Sequence, residues 1–279
     1  MSREINKDTQ LCMSLSGRPG NFGTRFHNSL YQALDLNFVY KAFSTKDIEA
    51  AVKGVRALGI RGCAVSMPFK EVCIPFLDEL DPSATAIQSV NTIVNDDGFL
   101  RAYNTDYIAV AKLLDSHQVP RDAVFALRGS GGMGKAVVAA IRDAGFKKGY
   151  IIARNEANGR ALAEEYGYEW KADIGDLAVD MVVNVTPIGM AGGPEADSLA
   201  FEPAVIDRAS IVFDVVALPA ETPLIRYGRE HGKKVITGAE VATFQAVERA
   251  VAMRFGNRKL RDQQVMKNEL EKSKAELDE

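Results

Sequence analysis

One six-residue segment constrains the fold of this chain more than any other. Residues 129–134 read GSGGMG, directly after the strand-like run AVFALR and before the helix-like run KAVVAAIRDAG. A tight glycine turn between a buried strand and a helix is typical of a βαβ unit, in which the helix crosses over so that the next strand runs parallel to the first. The segment therefore predicts a parallel sheet in this half of the chain.

Strand-like and helix-like segments alternate along most of the sequence, which indicates an α/β fold with mainly parallel strands. One interruption is the pair of runs SVNTIVND and FLRAYN, joined through Asp96-Asp97-Gly98, whose Asp-Gly pair predicts a β-hairpin turn. A helix from about Asp106 to His117 follows, and a second strand-helix series then begins. We therefore predict two domains: a Rossmann-like domain at residues 107–240 and a discontinuous α/β domain at residues 1–106 and 241–279.

The spacing of apolar residues predicts several helices. In TKDIEAAVKGVRAL the apolar residues recur at helical spacing and are expected to face a sheet: Ile48, Val52, Val55 and Leu58. Ser44 or Thr45 is the expected N-cap of this helix. The segment AEVATFQAVERAVAMRFG predicts a long helix that packs back on the first domain. The charged stretch from residue 257 onward predicts a solvated terminal helix rather than a partner-binding one.

Charge and composition exclude several classes of function. A net charge of -3 leaves no broad basic surface for nucleic acid, so we expect a small-molecule ligand. No apolar stretch reaches membrane-spanning length and no secretory signal is visible, so we expect a cytoplasmic protein without a membrane partner. The histidines and cysteines lack metal-ligand spacing, so we expect no metal site, and buried reduced thiols at Cys12, Cys63 and Cys73.

The glycine segment, placed between a strand and a helix, favours dinucleotide binding, because a helix N-terminus offers N–H donors to a pyrophosphate. The alternative is a glycine turn used only for packing. The next strand ends in Ala153-Arg154-Asn155, without an acidic side chain to accept from a ribose hydroxyl. An arginine there can pair with a 2′-phosphate, which favours NADP over NAD. The alternative for Arg154 is a solvated strand-end residue.

Lys70 and Asp106 both follow predicted strands, the usual location of ligand-binding residues in an open α/β sheet. A lysine near a carboxylate can take and return the proton of a carbinol hydroxyl during hydride transfer. For Lys70 the alternative is a surface ion pair. For Asp106 it is a helix N-cap, since an apolar-periodic helix follows.

The order of the motifs resembles that of the shikimate dehydrogenase family, and in particular its divergent shikimate dehydrogenase-like branch. MPFK at 67–70, SVNT at 89–92, NTD at 104–106, GSGG at 129–132 and TPL at 222–224 occur in the family's order. The resemblance covers nearly the whole chain up to residue 256. It implies a substrate domain, a Rossmann domain, and NADP-dependent oxidation of shikimate to 3-dehydroshikimate.

The resemblance also implies roles for individual residues. Lys70 and Asp106 match the family's catalytic pair at the reacting hydroxyl. Positions that match the polyol-binding residues are Ser66, Asn91 and Gln245. Positions that match the cofactor side are Gly129, Ser130, Gly131, Gly132, Met133, Arg154, Val215 and Gly238. The alternative for Asn91 is an amide that only satisfies buried backbone groups.

Two departures from the family pattern affect the expected substrate pocket. Where family members carry Ser-x-Ser-Pro for the substrate carboxylate, this chain has NFGT at 21–24, and Ser14-Leu15-Ser16 fits only with a shifted register. Asn21 then remains as a candidate to bind the carboxylate through its amide. The family's D-M-x-Y becomes DVVA at 214–217, which removes a tyrosine hydroxyl. Each lost hydrogen bond to a charged group is worth about 1.5–3 kcal/mol, so we expect weakened shikimate recognition.

The functional prediction is an NADP-dependent oxidoreductase acting on shikimate or a close cyclic hydroxy acid, as a monomer or homodimer. One alternative is a quinate/shikimate dehydrogenase that prefers quinate, since the missing tyrosine makes room for an extra hydroxyl. The other is a non-catalytic ligand sensor on the same scaffold. Retention of Lys70 and Asp106 favours the enzyme over the sensor.

Overall fold

The computed structural model describes residues 4–255, and of Phe22 and Phe255 the backbone only. The described chain forms two compact units. Residues up to Thr105, together with those from Ala246 onward, form the first, and Asp106–Gln245 form the second. The sequence predicts the boundaries at 106/107 and 240/241; in the structure one falls at the start of a helix and the other inside a helix. The charged stretch from residue 257, predicted to be a solvated helix, lies outside the described residues.

Strands and helices alternate as the sequence predicts, and the α/β class is confirmed. The strands are β1 Gln10–Leu15, β2 Phe38–Phe43, β3 Gly62–Val65, β4 Glu79–Leu80, β5 Thr92–Asp96, β6 Phe99–Tyr103, β7 Phe125–Arg128, β8 Gly149–Ile152, β9 Glu169–Lys171, β10 Met181–Asn184, β11 Ile211–Asp214 and β12 Lys234–Ile236. The helices are α1 Phe22–Ala33, α2 Ile48–Ala57, α3 Pro82–Thr85, α4 Thr105–Ser116, α5 Gly132–Asp143, α6 Glu156–Tyr166, α7 Pro203–Arg208, α8 Pro223–Glu230 and α9 Gly238–Phe255, and a 3-10 turn spans Ile74–Phe76.

The first unit contains a mixed sheet in the order β2-β1-β3-β5-β6-β4. β1 runs parallel to both β2 and β3, whereas β5 is antiparallel to β3 and to β6. The predicted hairpin is confirmed: Asp97 and Gly98 connect β5 and β6 with φ values of 53° and 91°. A two-residue hairpin turn needs positive φ at both positions, which asparagine, aspartate and glycine tolerate best. The hairpin replaces the helical crossover and breaks the parallel pattern.

Helix α2 buries Val52 and Val55 in the core of the first unit, as its spacing predicts. Two details of the prediction are wrong. The N-cap is Asp47, whose carboxylate accepts from the Ala50 N–H at 2.9 Å, and not Ser44 or Thr45. Leu58 is 77% exposed, because α2 ends at Ala57 and Leu58 already lies in the C-cap position.

The last turns of α9 pack in the core of the first unit. Met253 is fully buried in a cluster with Cys12, Tyr31, Tyr40 and Ala64. The guanidinium Nε of Arg61 also donates to the Met253 carbonyl at 2.7 Å. These contacts join the end of the described chain to strands and helices from its beginning.

The second unit contains a parallel six-stranded sheet in the order β12-β11-β10-β7-β8-β9. Read from the β9 edge, with β7 counted as strand 1, this is the 3-2-1-4-5-6 order of the Rossmann fold. The central strands β10 and β11 are buried along their whole length, as expected when helices cover both faces of a parallel sheet. The strand order reverses between β7 and β10, and ligands in such sheets bind outside the carboxyl ends of the strands at this point.

Candidate functional site

The glycine segment lies at this reversal point in the second unit. β7 ends at Arg128, and Gly129 follows with a φ of 121°, which L side chains rarely adopt. A Cβ at Gly129 would also come within 2.8 Å of Cγ2 of Val185, the residue after β10. The first glycine is therefore required both by the turn and by the close approach of the two strand ends.

The glycines that follow leave room for a ligand. Gly131 is the N-cap of α5 and Gly132 its first residue, and both are exposed. A Cβ built at either position meets nothing within 4 Å, so neither glycine is needed for packing. Their lack of side chains lets a ligand approach the N–H groups at the start of α5. Ser130 and Met133 are half-buried in the same turn. The cradle fits a pyrophosphate, which binds to N–H groups at a helix N-terminus.

Two arginines stand beside this cradle. Arg154, the predicted 2′-phosphate ligand, follows β8 and forms a 2.6 Å ion pair with Glu195, with 74% of its side chain exposed. Sequence reasoning missed Arg128, the residue directly before Gly129, although a basic residue at that position was a visible signal. Within the described chain its buried Nε has no hydrogen-bond partner. Burial lowers the pKa of Arg128, and the positive charge of Arg154 contributes to that lowering.

A buried polar network supports the Val215 backbone at the end of β11. The carboxylate of Asp214 accepts from Val216 N–H and Asn184 Nδ2 at 3.0 Å each, and from Thr222 Oγ1 at 2.7 Å. Gly238 lies against the same segment, because a Cβ there would come within 2.2 Å of the Val216 carbonyl oxygen. Val215 and Gly238, both predicted for the cofactor side, are thus brought together.

We expect Asp214→Asn to change how stability depends on pH. Burial raises the pKa of Asp214 from 3.8 to about 6, so the folded protein holds this proton more tightly than the unfolded chain. Protonated Asp214 therefore stabilises the folded state, and this contribution is complete below about pH 4. As the pH rises through about 6, the contribution of about 3 kcal/mol to the free energy of unfolding is lost. The Asp214→Asn variant carries no titrating group at this position and should not show that loss. Urea unfolding of both proteins from pH 4 to 7 measures it, and parallel pH curves would contradict the assignment.

In the first unit, Ser66 and Lys70 lie on the segment that follows β3. Ser66 is exposed and Lys70 is half-buried. Backbone hydrogen bonds anchor both ends of the segment: Ser66 N–H donates to the Leu15 carbonyl at 2.9 Å, and Val90 N–H donates to the Lys70 carbonyl at 2.8 Å. Asn91 is therefore next to the residue that holds Lys70. The structure brings Ser66, Lys70 and Asn91 to one region of this unit.

Asn91 is 1% exposed and its amide is only half satisfied. Its Oδ1 accepts from Thr92 Oγ1 at 3.0 Å, from Thr105 N–H at 2.9 Å and from Thr105 Oγ1 at 3.0 Å. Its Nδ2 has no hydrogen-bond partner in the part of the chain that the structure describes. The alternative role of Asn91, in which its amide only satisfies buried groups of the protein, explains the contacts of Oδ1 but not the unbonded Nδ2. A buried N–H donor without an acceptor is costly unless a ligand accepts from it.

Asp106 lies in the first turn of α4 and is 7% exposed. The alternative that it caps this helix is wrong, because α4 already begins at Thr105. Gln245 Nε2 donates to Asp106 Oδ1, so the structure joins two predicted site residues 139 positions apart. Asn21, the remaining candidate, occupies the N-cap position of α1, and its side chain makes no capping hydrogen bond.

Residues 4–255 contain neither a membrane-spanning helix nor a candidate metal-binding cluster. No helix in that range is long and apolar enough to cross a membrane. The same residues contain no cluster of three or more histidine, cysteine or acidic side chains that would hold a metal ion. Cys12, Cys63 and Cys73 are buried and unbridged. Burial raises the pKa of each thiol, to about 11 for Cys12, so they are poor nucleophiles.

Comparison of the sequence with known proteins gives consistent matches. Residues 22–93 match the family described as the shikimate dehydrogenase substrate binding domain. A shikimate dehydrogenase-like protein of Haemophilus influenzae is 64% identical over 244 residues, which cover 88% of this chain and 90% of that protein. A shikimate dehydrogenase (NADP(+)) of Streptococcus uberis is 35% identical over 273 residues, which cover 89% of this chain and 92% of that protein.

Solved structures agree with the sequence matches. A shikimate 5-dehydrogenase-like protein superposes with a TM-score of 0.89 at 57% identity, covering 97% of this chain and 100% of that one. Quinate dehydrogenase from Corynebacterium glutamicum, in complex with NAD, superposes with a TM-score of 0.80 at 25% identity, covering 89% and 94%.

Proposed function

The chain belongs to the shikimate dehydrogenase family, and on this basis we propose that it is an NADP-dependent oxidoreductase that interconverts shikimate, or a close cyclic hydroxy acid, and 3-dehydroshikimate. The second unit binds the cofactor. The residues proposed for the acid are Asn21, Ser66, Lys70 and Asn91 of the first unit, and Asp106 and Gln245, the first and last residues of the second. The observation that carries the substrate proposal is the buried Nδ2 of Asn91, a donor without a partner in the described chain, beside the residue that anchors Lys70.

The reaction removes a hydride and a proton from one carbinol group. NADP supplies the hydride acceptor when bound. Lys70 and Asp106 hold the reacting hydroxyl, and this pair takes up its proton, so that the C–O bond becomes a carbonyl. The amide of Gln245 donates to Asp106 and fixes the orientation of that carboxylate. The reverse reaction returns the proton from the same pair.

The cofactor proposal is supported by the open glycine cradle at the start of α5. Residues 129–133 would hold the pyrophosphate through N–H groups. The backbone at Val215, against which Gly238 packs closely, is the segment proposed for the nicotinamide. Arg154 and Arg128 bind the 2′-phosphate, because guanidinium groups pair with phosphate in two-hydrogen-bond geometry. On binding, Arg154 exchanges its exposed partner Glu195 for this dianion.

The substrate's remaining polar groups are bound by Asn21, Ser66, Asn91 and Gln245. Recognition of shikimate is weaker than in family members that keep Ser-x-Ser-Pro and the tyrosine of D-M-x-Y, because this chain lacks those hydroxyls. Quinate is the second candidate, since Ala217 leaves space where a tyrosine is missing and the fold matches a quinate dehydrogenase.

The decisive assay follows nicotinamide reduction with shikimate and with quinate, each with NADP and with NAD. We expect the fastest reduction with shikimate and NADP. A faster rate with quinate would identify the second candidate. If both acids bind, but neither reduces either cofactor, the chain is a ligand sensor and the enzymatic proposal fails.

Arg154→Ser is expected to lower the preference for NADP over NAD by about tenfold or more, because one charge-assisted contact to the 2′-phosphate is worth about 1.5–3 kcal/mol. Arg229→Ser is the matched control, since Arg229 is an exposed arginine of α8 that pairs with Glu221. The ratio of kcat/KM values for the two cofactors measures the effect. An unchanged ratio in Arg154→Ser would remove this residue from the phosphate site.

A further inference from the structure

Arg249 is a half-buried cation in the first unit that the sequence motifs do not explain. It follows Gln245 by one turn of α9, so the two side chains lie on the same face of that helix. Its Nε donates to Thr92 Oγ1 at 3.2 Å. Among residues 4–255, no carboxylate forms an ion pair with its guanidinium group, although most arginines of the first unit that are buried to this degree have one.

Three buried titratable groups that interact electrostatically with Arg249 are neutral. Burial, with a smaller contribution from the charge of Arg249, lowers the pKa of His27 to about 3. Burial raises the pKa values of Tyr31 and Tyr40, and the same positive charge only partly opposes this rise. At neutral pH none of these three side chains carries a charge that offsets the guanidinium.

Two buried polar atoms close to this arginine also lack partners in the described chain. His27 Nδ1 is one, in a ring that is 1% exposed and stacked on Tyr40 with 4.4 Å between ring centroids. The other is Nδ2 of Asn91, and Thr92 connects it to the arginine: Thr92 Oγ1 accepts from Arg249 and donates to Asn91 Oδ1 at 3.0 Å. The region thus combines an uncompensated cation with unsatisfied polar atoms.

Such an arrangement is costly in the protein alone and favourable with an anion. A partly buried charge without a counter-ion loses hydration, and a ligand carboxylate restores the lost interactions through two parallel hydrogen bonds to the guanidinium. Nothing in the described part of the chain supplies that carboxylate. The substrate proposed above carries one, and the family's serine pair that would bind it is missing at 21–24.

We propose that Arg249 binds the carboxylate of the cyclic hydroxy acid. This inference rests on the proposed function for the choice of ligand. It changes the expected specificity, because hydroxyl donors bind a carboxylate or a neutral polar group, whereas a guanidinium without another counter-ion selects for a negative charge. The site should therefore discriminate strongly between a cyclic acid and its uncharged ester, and the missing serines then mark a different mode of carboxylate binding.

The test is equilibrium binding of shikimate and of its methyl ester to the full chain by calorimetry, in wild type and Arg249→Gln. We expect Arg249→Gln to weaken shikimate binding about 10- to 100-fold and to leave ester binding almost unchanged. In kinetics the loss should appear in KM with kcat retained, as for an interaction made equally in ground and transition states. A merely structural arginine would weaken acid and ester alike, and that result overturns the proposal.

Three controls keep the outcome clear. Arg229→Gln removes an exposed arginine of the second unit and should leave shikimate binding unchanged. Arg249→Lys retains the charge without the paired geometry, and should lose less affinity for shikimate than Arg249→Gln. It replaces that variant if Arg249→Gln does not fold.

If shikimate and quinate bind the wild type without turnover, the enzymatic proposal fails while the acid-to-ester comparison still decides the role of Arg249. If neither acid binds, the proposal for Arg249 is wrong.

Discussion

Lys70→Met is expected to lower kcat for shikimate oxidation by about 10²- to 10⁴-fold, the usual contribution of a positioned proton-transfer group. Methionine keeps the length and the apolar stem of the side chain and removes only the ammonium group. The surrounding backbone should stay in place, because Val90 donates to the Lys70 carbonyl at 2.8 Å and the neighbouring Phe69 is buried. The loss should therefore lie in the chemical step.

Single-turnover kinetics and NADP titration together check this expectation. NADP should bind the variant as it binds the wild type, since Lys70 belongs to the unit that does not carry the glycine cradle. Lys53→Met is the matched control, because Lys53 is exposed on α2 and pairs with Glu49. A wild-type rate for Lys70→Met would exclude Lys70 from catalysis.

Asp106→Asn is expected to have an effect of the same size, about 10²- to 10⁴-fold on kcat. The asparagine is nearly isosteric and retains an Oδ1 that accepts from the Gln245 amide, so the contact between α4 and α9 is kept. What disappears is the negative charge at a side chain that is 7% exposed. The variant should therefore fold normally and bind NADP while losing proton transfer.

The double variant tests whether the two residues act together. Groups that act as a unit give non-additive losses, so Lys70→Met combined with Asp106→Asn should be little slower than the slower single variant. Asp115→Asn is the control on the same helix, since Asp115 is 75% exposed and pairs with Arg121. Multiplicative losses in the double variant would show that the residues act independently and would falsify the catalytic pair.

Local patterns predicted the fold well where the physical cause is itself local. The turn at Asp97-Gly98 needs positive φ at both residues, so this residue pair was enough to predict the hairpin. The glycine at 129 likewise reflects a backbone conformation that a side chain would oppose. The helix-cap prediction failed because Thr45 and Asp47 lie two residues apart and compete: Thr45 Oγ1 bonds the Asp47 backbone, and Asp47 caps α2.

Site residues divide in a similar way. Lys70, Asn91 and Asp106 lie within short motifs, so the sequence alone makes them candidates, and the structure adds their surroundings. Arg249 belongs to no motif and no periodicity marks it, and the only sequence signal for Arg128 is its position directly before the glycine segment. Within the described chain, Nε of Arg128 has no hydrogen-bond partner, although that arginine forms an ion pair with Asp173, and Arg249 bonds Thr92 but pairs with no carboxylate. Such properties exist only once the fold has determined which groups lie nearby.

The sequence by itself determined the α/β class, the order of strands and helices, the glycine turn and the family, because spacing and backbone preference act over a few residues. Only the tertiary structure decided which polar groups are satisfied. Arg249 meets Thr92 across 157 positions, and Gln245 meets Asp106 across 139. Whether a buried charge or amide has a partner depends on such distant contacts, and for that reason the candidate carboxylate site became visible only in the folded chain.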